Sequence, residues 1–297
     1  MHKTDMPNKN RFFLAGVVGW PISHSFSPLM HNYWIKQNKC IGLYLPLAVQ
    51  PSGLATALSV LKPLGFSGCN VTIPHKQMAL KIVDEVDETA NTIGAISCIT
   101  VKKNGSLIGT NNDWYGFVTN LKYKYPGWRA DTGPAVVIGA GGASRAVCYG
   151  LMHEGVKEIR LVNRTLYSAD LLASQLGTSI KPLPWETRHK ALEGVTIVIN
   201  TTSQGMIGQP ALNLSLDHLP KNAIAADIIY TPLETPFLTM AKKRGNPTLN
   251  GIGMLLYQGI PAWKQWFNIE PTVSLELRKI MESSLDTSSN FEHVKHT

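Results

Sequence analysis

Apolar and polar positions follow two periods along the first third of the chain. Short apolar runs of strand length are followed by segments in which apolar residues recur at helical spacing. Strands are predicted at 12–18, 43–47 and 68–73. Helices are predicted after Ser27, at 54–61 and at 76–86, with Ser27 as N-cap and Pro28 at the first helical position. This alternation predicts an α/β domain with a parallel or mixed sheet.

A second strand–helix series follows a break at 123–134, where prolines and glycines cluster and mark a candidate boundary region. Its short, largely apolar runs are typical of strands buried on both faces of a parallel sheet. They lie at 135–138, 158–162, 195–200 and 223–229. Helices are predicted at 254–267 and 273–283, and the polar tail 284–297 is expected to be disordered.

Composition narrows the class of protein. Of the 297 residues, 44% are hydrophobic and 16% charged, which indicates a globular chain. The net charge is +8, but lysines and arginines are scattered, so no nucleic-acid partner is expected. No apolar run is long enough to span a bilayer and the start lacks the pattern of a secretory signal, so we expect a cytoplasmic protein without a membrane partner. The four cysteines have no metal-binding spacing, and no metal site is predicted.

A glycine-rich loop joins the strand at 135–138 to a helix. Gly139 permits a tight turn, whereas Gly141 and Gly142 let the backbone approach a pyrophosphate. Ala143 is small enough for close packing of helix on strand, and the free N–H groups of the helix N-terminus point at the phosphates. The loop therefore predicts a dinucleotide site in a Rossmann-type domain.

The end of the next strand indicates which dinucleotide binds. Asn163, Arg164 and Thr165 stand where an acidic residue would bind the ribose hydroxyls of NAD. A carboxylate would repel a 2′-phosphate, whereas Arg164 can pair with it and stack on the adenine. The sequence therefore favours NADP, with NAD as the alternative and a plain surface arginine as the simpler interpretation.

Three segments of the first domain are unusually polar for their setting. Residues 19–28 place Ser25 and Ser27 at a junction of strand and helix, where oxyanions bind well, although such serines are often only helix caps. Residues 70–76 end in Lys76, which would open the helix predicted at 76–86. The helix dipole there would favour a lowered pKa and a general acid–base role, whereas a lone lysine is usually an exposed cation. In 109–117, Asp113 either orients Lys76 and binds a substrate hydroxyl or caps a helix.

Together with the glycine loop, these segments resemble the shikimate dehydrogenase family over residues 13–267. Further matching segments are 163–165, 200–206, 227–232, 250–255 and Gln258. The resemblance implies a substrate domain at 1–112 that is completed by 251–283, and an NADP-binding Rossmann domain at 113–250. It implies an NADP-dependent enzyme, a monomer or homodimer, that interconverts 3-dehydroshikimate and shikimate in aromatic amino-acid biosynthesis.

The resemblance also implies roles for single residues. Ser25 and Ser27 would hold the substrate carboxylate, and Lys76 with Asp113 would form the proton-transfer pair. The residues expected to face substrate hydroxyls are Thr72, Lys76, Ser97, Asp113 and Gln258. The residues expected to contact the cofactor are Gly139, Ala140, Gly141, Gly142, Ala143, Asn163, Arg164, Thr165, Thr202, Ile228 and Gly251.

Three positions depart from the family's pattern in the substrate domain. Ser97 replaces an asparagine and would reach substrate hydroxyls only through a water. Asn112 replaces a threonine, and Trp114 replaces a glycine and adds bulk near the domain junction. These changes leave two alternatives open: a quinate/shikimate dehydrogenase that uses either cofactor, and a catalytically silent dinucleotide or metabolite sensor.

The cofactor end departs as well. Leu166, Tyr167 and Ser168 occupy the stretch in which NADP-specific members of the family often carry a second basic residue. Arg164 alone would then discriminate only modestly against NAD.

Overall fold

The computed structural model describes residues 12–294, with side chains up to residue 285. The strands are β1 Phe12–Gly19, β2 Ile41–Ala48, β3 Gly68–Val71, β4 Glu85–Val86, β5 Cys98–Val101, β6 Leu107–Thr110, β7 Ala135–Ile138, β8 Ile159–Asn163, β9 Ile180–Pro184, β10 Ile197–Asn200, β11 Ile224–Asp227 and β12 Thr248–Leu249. The α-helices are α1 Ser27–Gln37, α2 Leu54–Ser59, α3 Glu88–Ile93, α4 Asp113–Lys124, α5 Gly142–Glu154, α6 Leu166–Leu176, α7 Pro236–Lys243, α8 Ile252–Phe267 and α9 Leu275–Val294.

The first six strands form a mixed sheet in the order β2-β1-β3-β5-β6-β4. Strands β1, β2 and β3 are parallel, whereas β5 runs antiparallel to both β3 and β6. A buried cluster that includes Val18, Leu58, Val71 and Ile99 forms the core on one face of this sheet. The mixed α/β layer predicted from the hydrophobic pattern is confirmed.

The last six strands form a fully parallel sheet in the order β12-β11-β10-β7-β8-β9. Alternate residues of its strands belong to two different cores: Val137 and Ile199 to one, Val136 and Val198 to the other. Helices cover both faces, which explains why the central strands β7 and β10 are nearly continuous apolar runs. The strand order reverses between β7 and β10, as in a Rossmann fold, so the carboxyl ends of these two strands flank the switch point where such sheets bind ligands.

The described chain divides into two compact units. The first comprises the chain up to Asn112 together with Gly259–Met281, and the second comprises Asp113–Gln258 together with the chain from Glu282. The sequence placed all of 251–283 with the first domain, but the division falls inside α8, because the part of α8 up to Gln258 packs on α4. The break at 123–134 is internal to the second unit, where Tyr125 and Trp128 pack on its core.

Two predicted segments differ from the structure. The helix expected at 76–86 is replaced by turns, a short 3₁₀ segment and β4, because β4 pairs in parallel with β6 and the amide of Asp84 donates to the carbonyl of Leu107. The tail expected to be disordered from residue 284 continues α9 to Val294, and Leu277, Met281 and Leu285 of that helix are buried at four-residue intervals. Residues 295–297 lie outside the described residues.

Within residues 12–294, no helix combines the length and the apolar character that a membrane span requires.

Candidate active site

The topology of the first sheet brings the polar segments of the first unit to one edge. Parallel strands β1 and β3 end side by side, with Val18 opposite Val71, so the segments that follow them leave the sheet together. Strand β5 starts at this same edge, because it runs antiparallel to β3 and pairs Cys98 with Asn70. Strand β6 ends there as well, since Thr110 lies opposite Cys98. Ser25, Ser27, Thr72, Lys76 and Ser97 therefore all lie near one edge of the sheet.

The two serines lie at the start of α1. Ser27 is the first residue of that helix rather than its cap, because the N-cap position is Phe26 and no side chain caps it. The amide of Ser27 lies 3.4 Å from Oγ of Ser25, which thereby accepts a weak hydrogen bond. Ser25 is half-buried and Ser27 is buried. An acceptor role at Ser25 leaves its hydroxyl hydrogen available to an anion.

A buried tyrosine that sequence reasoning missed joins β2 to β3. The hydroxyl of Tyr44 in β2 donates to Oδ1 of Asn70 at 2.8 Å, and Nδ2 of Asn70 donates to the carbonyl of Ser97 at 3.2 Å. Burial raises the pKa of Tyr44 well above its usual range, and a side-chain hydrogen bond with Ser27 opposes that rise. Asn70 belongs to the polar segment already noted, which is the only sequence signal for this network.

The segment after β3 carries Thr72 and Lys76, both half-buried. The amide of Thr72 donates to the carbonyl of Val18, and the carbonyl of Lys76 accepts from the amide of Ile96 at 2.8 Å. Between them, buried His75 places Nε2 2.7 Å from the carbonyl of Val49. Lys76 opens no helix in this arrangement, so the predicted effect of a helix dipole on Lys76 was wrong. Tertiary contacts on both sides hold the backbone of Lys76 instead.

Ser97, which replaces the family's asparagine, has a buried side chain. It is 2% exposed, and its Oγ accepts a hydrogen bond of 2.8 Å from the backbone amide of Asn112. Asn112 is buried too. The two departures from the family's pattern therefore contact each other.

Asp113 and Gln258 belong to the second unit, where α4 packs on α8. Asp113 is buried and is the first residue of α4, a position in which the helix dipole stabilises a carboxylate. Gly116, one turn later, lies so close to α8 that a Cβ would be 2.8 Å from Cβ of Gln258. Residues three apart share a helix face, so Asp113 and Gln258 are presented on neighbouring helices.

Trp114 directs its bulk towards α5. Its ring centroid lies 5.5 Å from that of Tyr149 and 4.8 Å from that of His153. The tryptophan also packs against the core of the second unit. The large side chain of Trp114 is therefore explained by packing within the second unit.

The glycine loop follows β7 as predicted. Gly139 has φ +110°, a value that side chains rarely adopt, and a Cβ there would lie 2.9 Å from Oγ1 of Thr201. Gly141 is exposed, and a Cβ on it would meet nothing within 4 Å. Helix α5 starts at Gly142 with its first N–H groups directed out of the helix. The loop thus combines a tight turn with open space at a helix N-terminus, which fits a pyrophosphate.

Two buried hydroxyl groups, those of Ser144 and Thr201, stabilise this loop. Oγ of Ser144 accepts from the amide of Gly141 at 3.1 Å and lies 2.6 Å from Oγ1 of Thr201. Thr201 in turn donates to the carbonyl of Ile138. Sequence reasoning recognised both segments but assigned no role to either hydroxyl.

Arg164 is exposed at the end of β8, beside the loop. The amide of Gly139 donates to the carbonyl of Val162, which ties the glycine loop to that strand end. Nδ2 of Asn163 donates to the carbonyl of Thr165 at 2.8 Å and shapes the turn. No acidic residue occupies 163–165, so the segment fits a 2′-phosphate.

The remaining candidate cofactor residues follow β10 and β11. Buried Asn200 ends β10, and its Oδ1 accepts from both the amide and the hydroxyl of Thr202, at 3.1 and 2.8 Å. The amide of Ile228 donates to the carbonyl of Asn200, and the amide of Gly251 donates to the carbonyl of Ile229. Thr202, Ile228 and Gly251 are thereby joined in one group at the carboxyl edge of the second sheet.

Comparisons with known proteins bear directly on this arrangement. A model described as shikimate dehydrogenase substrate binding domain matches residues 17–99, and one described as shikimate / quinate 5-dehydrogenase matches residues 126–228. A shikimate dehydrogenase (NADP(+)) of Paramagnetospirillum magneticum is 47% identical over 270 residues, which cover 91% of this chain and 98% of the relative. The chain belongs to the shikimate dehydrogenase family.

Solved structures agree with this membership in the shikimate dehydrogenase family. Shikimate 5-dehydrogenase from Thermus thermophilus, in complex with NADP(H) and shikimate, has a TM-score of 0.80 at 32% identity and covers 93% of this chain and 99% of its own. Quinate dehydrogenase from Corynebacterium glutamicum, in complex with NAD, has a TM-score of 0.84 at 27% identity and covers 93% and 100%. The resemblance and the two-domain α/β fold inferred from the sequence are confirmed.

Proposed function

We propose that this protein catalyses the NADP-dependent, reversible reduction of 3-dehydroshikimate to shikimate, a step of aromatic amino-acid biosynthesis. The glycine loop at the switch point of a parallel sheet, with Arg164 beside it, carries the proposal. The relatives named above support the choice of substrate and cofactor. A cytoplasmic location and a monomeric or homodimeric state stay predictions.

In this proposal, hydroxyl and amide groups bind the substrate. Ser25 donates to the substrate carboxylate, and Ser27, whose hydroxyl is hydrogen-bonded to Tyr44 in this structure, turns to the same carboxylate when the substrate binds. Thr72 and Gln258 contact the ring hydroxyls, and Ser97 reaches them through a water. Ser97 retains a hydroxyl hydrogen to donate, since its oxygen serves as the acceptor for Asn112.

When bound to the second unit, NADPH would supply the hydride that the carbonyl carbon accepts. Negative charge then develops on the carbonyl oxygen, and the ammonium group of Lys76 stabilises that charge and donates the proton. Asp113 is the other member of the proposed Lys/Asp pair and takes part in the same proton transfer. In the reverse direction, Lys76 accepts the proton of the substrate hydroxyl.

The cofactor is held by the second unit. Backbone N–H groups of the glycine loop and α5 bind the pyrophosphate, and Arg164 with Asn163 and Thr165 binds the 2′-phosphate. Ala140, Ala143, Thr202, Ile228 and Gly251 line the rest of the cofactor site.

A quinate/shikimate dehydrogenase of relaxed cofactor use is the second candidate, favoured by Ser97, Asn112 and the likeness to a quinate dehydrogenase that binds NAD. A catalytically silent dinucleotide or metabolite sensor is the third candidate.

One assay separates the three candidates. Purified protein is assayed with shikimate or quinate, each with NADP⁺ or NAD⁺, by absorbance of the reduced cofactor. Turnover fastest with shikimate and NADP⁺ supports the proposal. Comparable turnover with quinate or NAD⁺ favours the second candidate, and cofactor binding without turnover favours the sensor.

A further inference from the structure

A buried carboxylate joins the two loops that follow β10 and β11. Asp227 ends β11 directly opposite Asn200, which ends β10. Nδ2 of Asn200 lies 3.2 Å from each carboxylate oxygen of Asp227, and the same nitrogen lies 3.0 Å from the carbonyl of Gln204. The carboxylate thus orients the amide of Asn200, whose oxygen holds Thr202.

The other contacts of this carboxylate reach into its own loop. Oδ1 of Asp227 accepts from the amide of Ile229 at 3.0 Å, and Oδ2 accepts from the hydroxyl of Thr235 at 2.8 Å. Thr235 is fully buried and caps α7 by accepting from the amide of Leu238. The backbone at Ile228 is therefore held between the carboxylate and the start of α7.

We propose that Asp227 is a positioning residue for the nicotinamide half of the cofactor site, acting through Asn200 on Thr202 and through Ile229 on Ile228. This rests on the proposed function. In a Rossmann sheet, one half of a dinucleotide is bound on each side of the switch point. The glycine loop and Arg164 lie on the β7–β8 side and bind the adenylate half, whereas Thr202 and Ile228 lie on the β10–β11 side.

An uncharged amide cannot replace the carboxylate in this network. Asp227→Asn keeps the shape of the side chain but offers one acceptor oxygen instead of two. Because Nδ2 of Asn200 lies 3.2 Å from both oxygens, the new NH₂ group faces the NH₂ group of Asn200 in either orientation, and both groups are donors. The hydrogen bond to Asn200 is therefore weakened in either orientation, while the contacts of the glycine loop with Ser144 and Thr201 are unchanged.

The test measures binding by calorimetry with two probes, NADP⁺ and adenosine 2′,5′-bisphosphate, which carries only the adenylate half. Asp227→Asn is expected to weaken NADP⁺ binding about tenfold and to leave the bisphosphate within about twofold. Thr235→Val, which removes one donor from Asp227 and keeps the carboxylate, is expected to give a smaller loss of the same selectivity. Asp217→Asn, at an exposed carboxylate of the same unit, is the control and changes neither affinity.

Equal weakening of both probes by Asp227→Asn would indicate general loosening of the unit and overturn the positioning role, as would no change with either probe. If Asp227→Asn does not fold, Thr235→Val decides by the same criterion. Wild-type protein that binds no NADP⁺ overturns both proposals. Wild-type protein that binds NADP⁺ but does not oxidise shikimate overturns the proposed reaction alone, because the binding comparison needs no turnover.

Discussion

The hydroxyl oxygen of Ser97 accepts a hydrogen bond of 2.8 Å from the backbone amide of Asn112. This contact ties the start of β5 to the segment after β6, immediately before Asp113. Both residues depart from the family's pattern, and both are buried. The hydrogen bond fixes the backbone from which Asp113 is presented, so these two departures act on the proposed catalytic residue through the main chain.

Ser97→Ala is expected to lower the free energy of unfolding by about 1–3 kcal/mol, because it leaves the buried amide of Asn112 without an acceptor. Chemical denaturation measures this change. Ser59→Ala, at an exposed serine of α2, is the control and should stay within about 0.5 kcal/mol of the wild type. Equal stability of Ser97→Ala and wild type would show that the hydrogen bond contributes nothing.

Lys76→Ala is expected to reduce kcat on the order of 10²- to 10⁴-fold while KM for shikimate changes far less, because proton transfer is lost and most substrate contacts remain. Steady-state kinetics with NADP⁺ measures both constants. Lys81→Ala, at an exposed lysine of the same segment, is the matched control and should retain wild-type kcat. Near-normal turnover of Lys76→Ala would remove the residue from the mechanism.

Arg164→Ala is expected to raise KM for NADP⁺ about tenfold or more, since a charge-assisted contact with the 2′-phosphate is lost, and to leave KM for NAD⁺ nearly unchanged. Arg129→Ala, at an exposed arginine of the same unit that pairs with Asp131, should alter neither value. A parallel rise in both KM values would argue that Arg164 stacks on the adenine without reading the phosphate.

Gly139→Ala is expected to destabilise the protein by about 1–3 kcal/mol and to weaken NADP⁺ binding, because alanine is strained at φ +110° and its Cβ would crowd Thr201. Thermal unfolding and calorimetry measure the two effects. Gly127→Ala, at a position where a Cβ meets nothing within 4 Å, should show neither. Tolerance of alanine at Gly139 would contradict the tight turn assigned to this loop.

Burial raises the pKa of Asp227 from its usual value to about 6, although hydrogen bonds from Ile229, Thr235 and Asn200 oppose the rise. Because this folded-state pKa exceeds the unfolded value of 3.8, protonation of Asp227 favours the folded state. The resulting stability is full below pH 3.8 and is lost as the pH rises through 6.

Relative to Asp227→Asn, the wild type should therefore gain about 2 kcal/mol of unfolding free energy between pH 7 and pH 4.5. Denaturation of both proteins at the two pH values measures the difference. A stability difference that is independent of pH would place the pKa of Asp227 in its ordinary range.

Local sequence patterns were sufficient to predict the elements whose structure is decided by residues close together in the chain. The run at 135–138 became β7 with the same bounds, and the glycine loop and the start of α5 follow it as expected. The helix predicted at 76–86 failed because a partner distant in sequence, β6, competes for that backbone. Helix propensity and the spacing of apolar residues carry no information about a partner so distant in the chain.

The sequence by itself determined the two α/β series, the dinucleotide loop, the arginine that follows the next strand (Arg164) and the family to which the chain belongs. Each of these rests on residues close together in the chain. Only the tertiary structure decided that Ser97 holds Asn112, that Tyr44 holds Asn70, and that Asp227 anchors Asn200. These contacts join different strands and loops, and they exist only because the order and direction of the strands bring distant side chains to the same edge of a sheet.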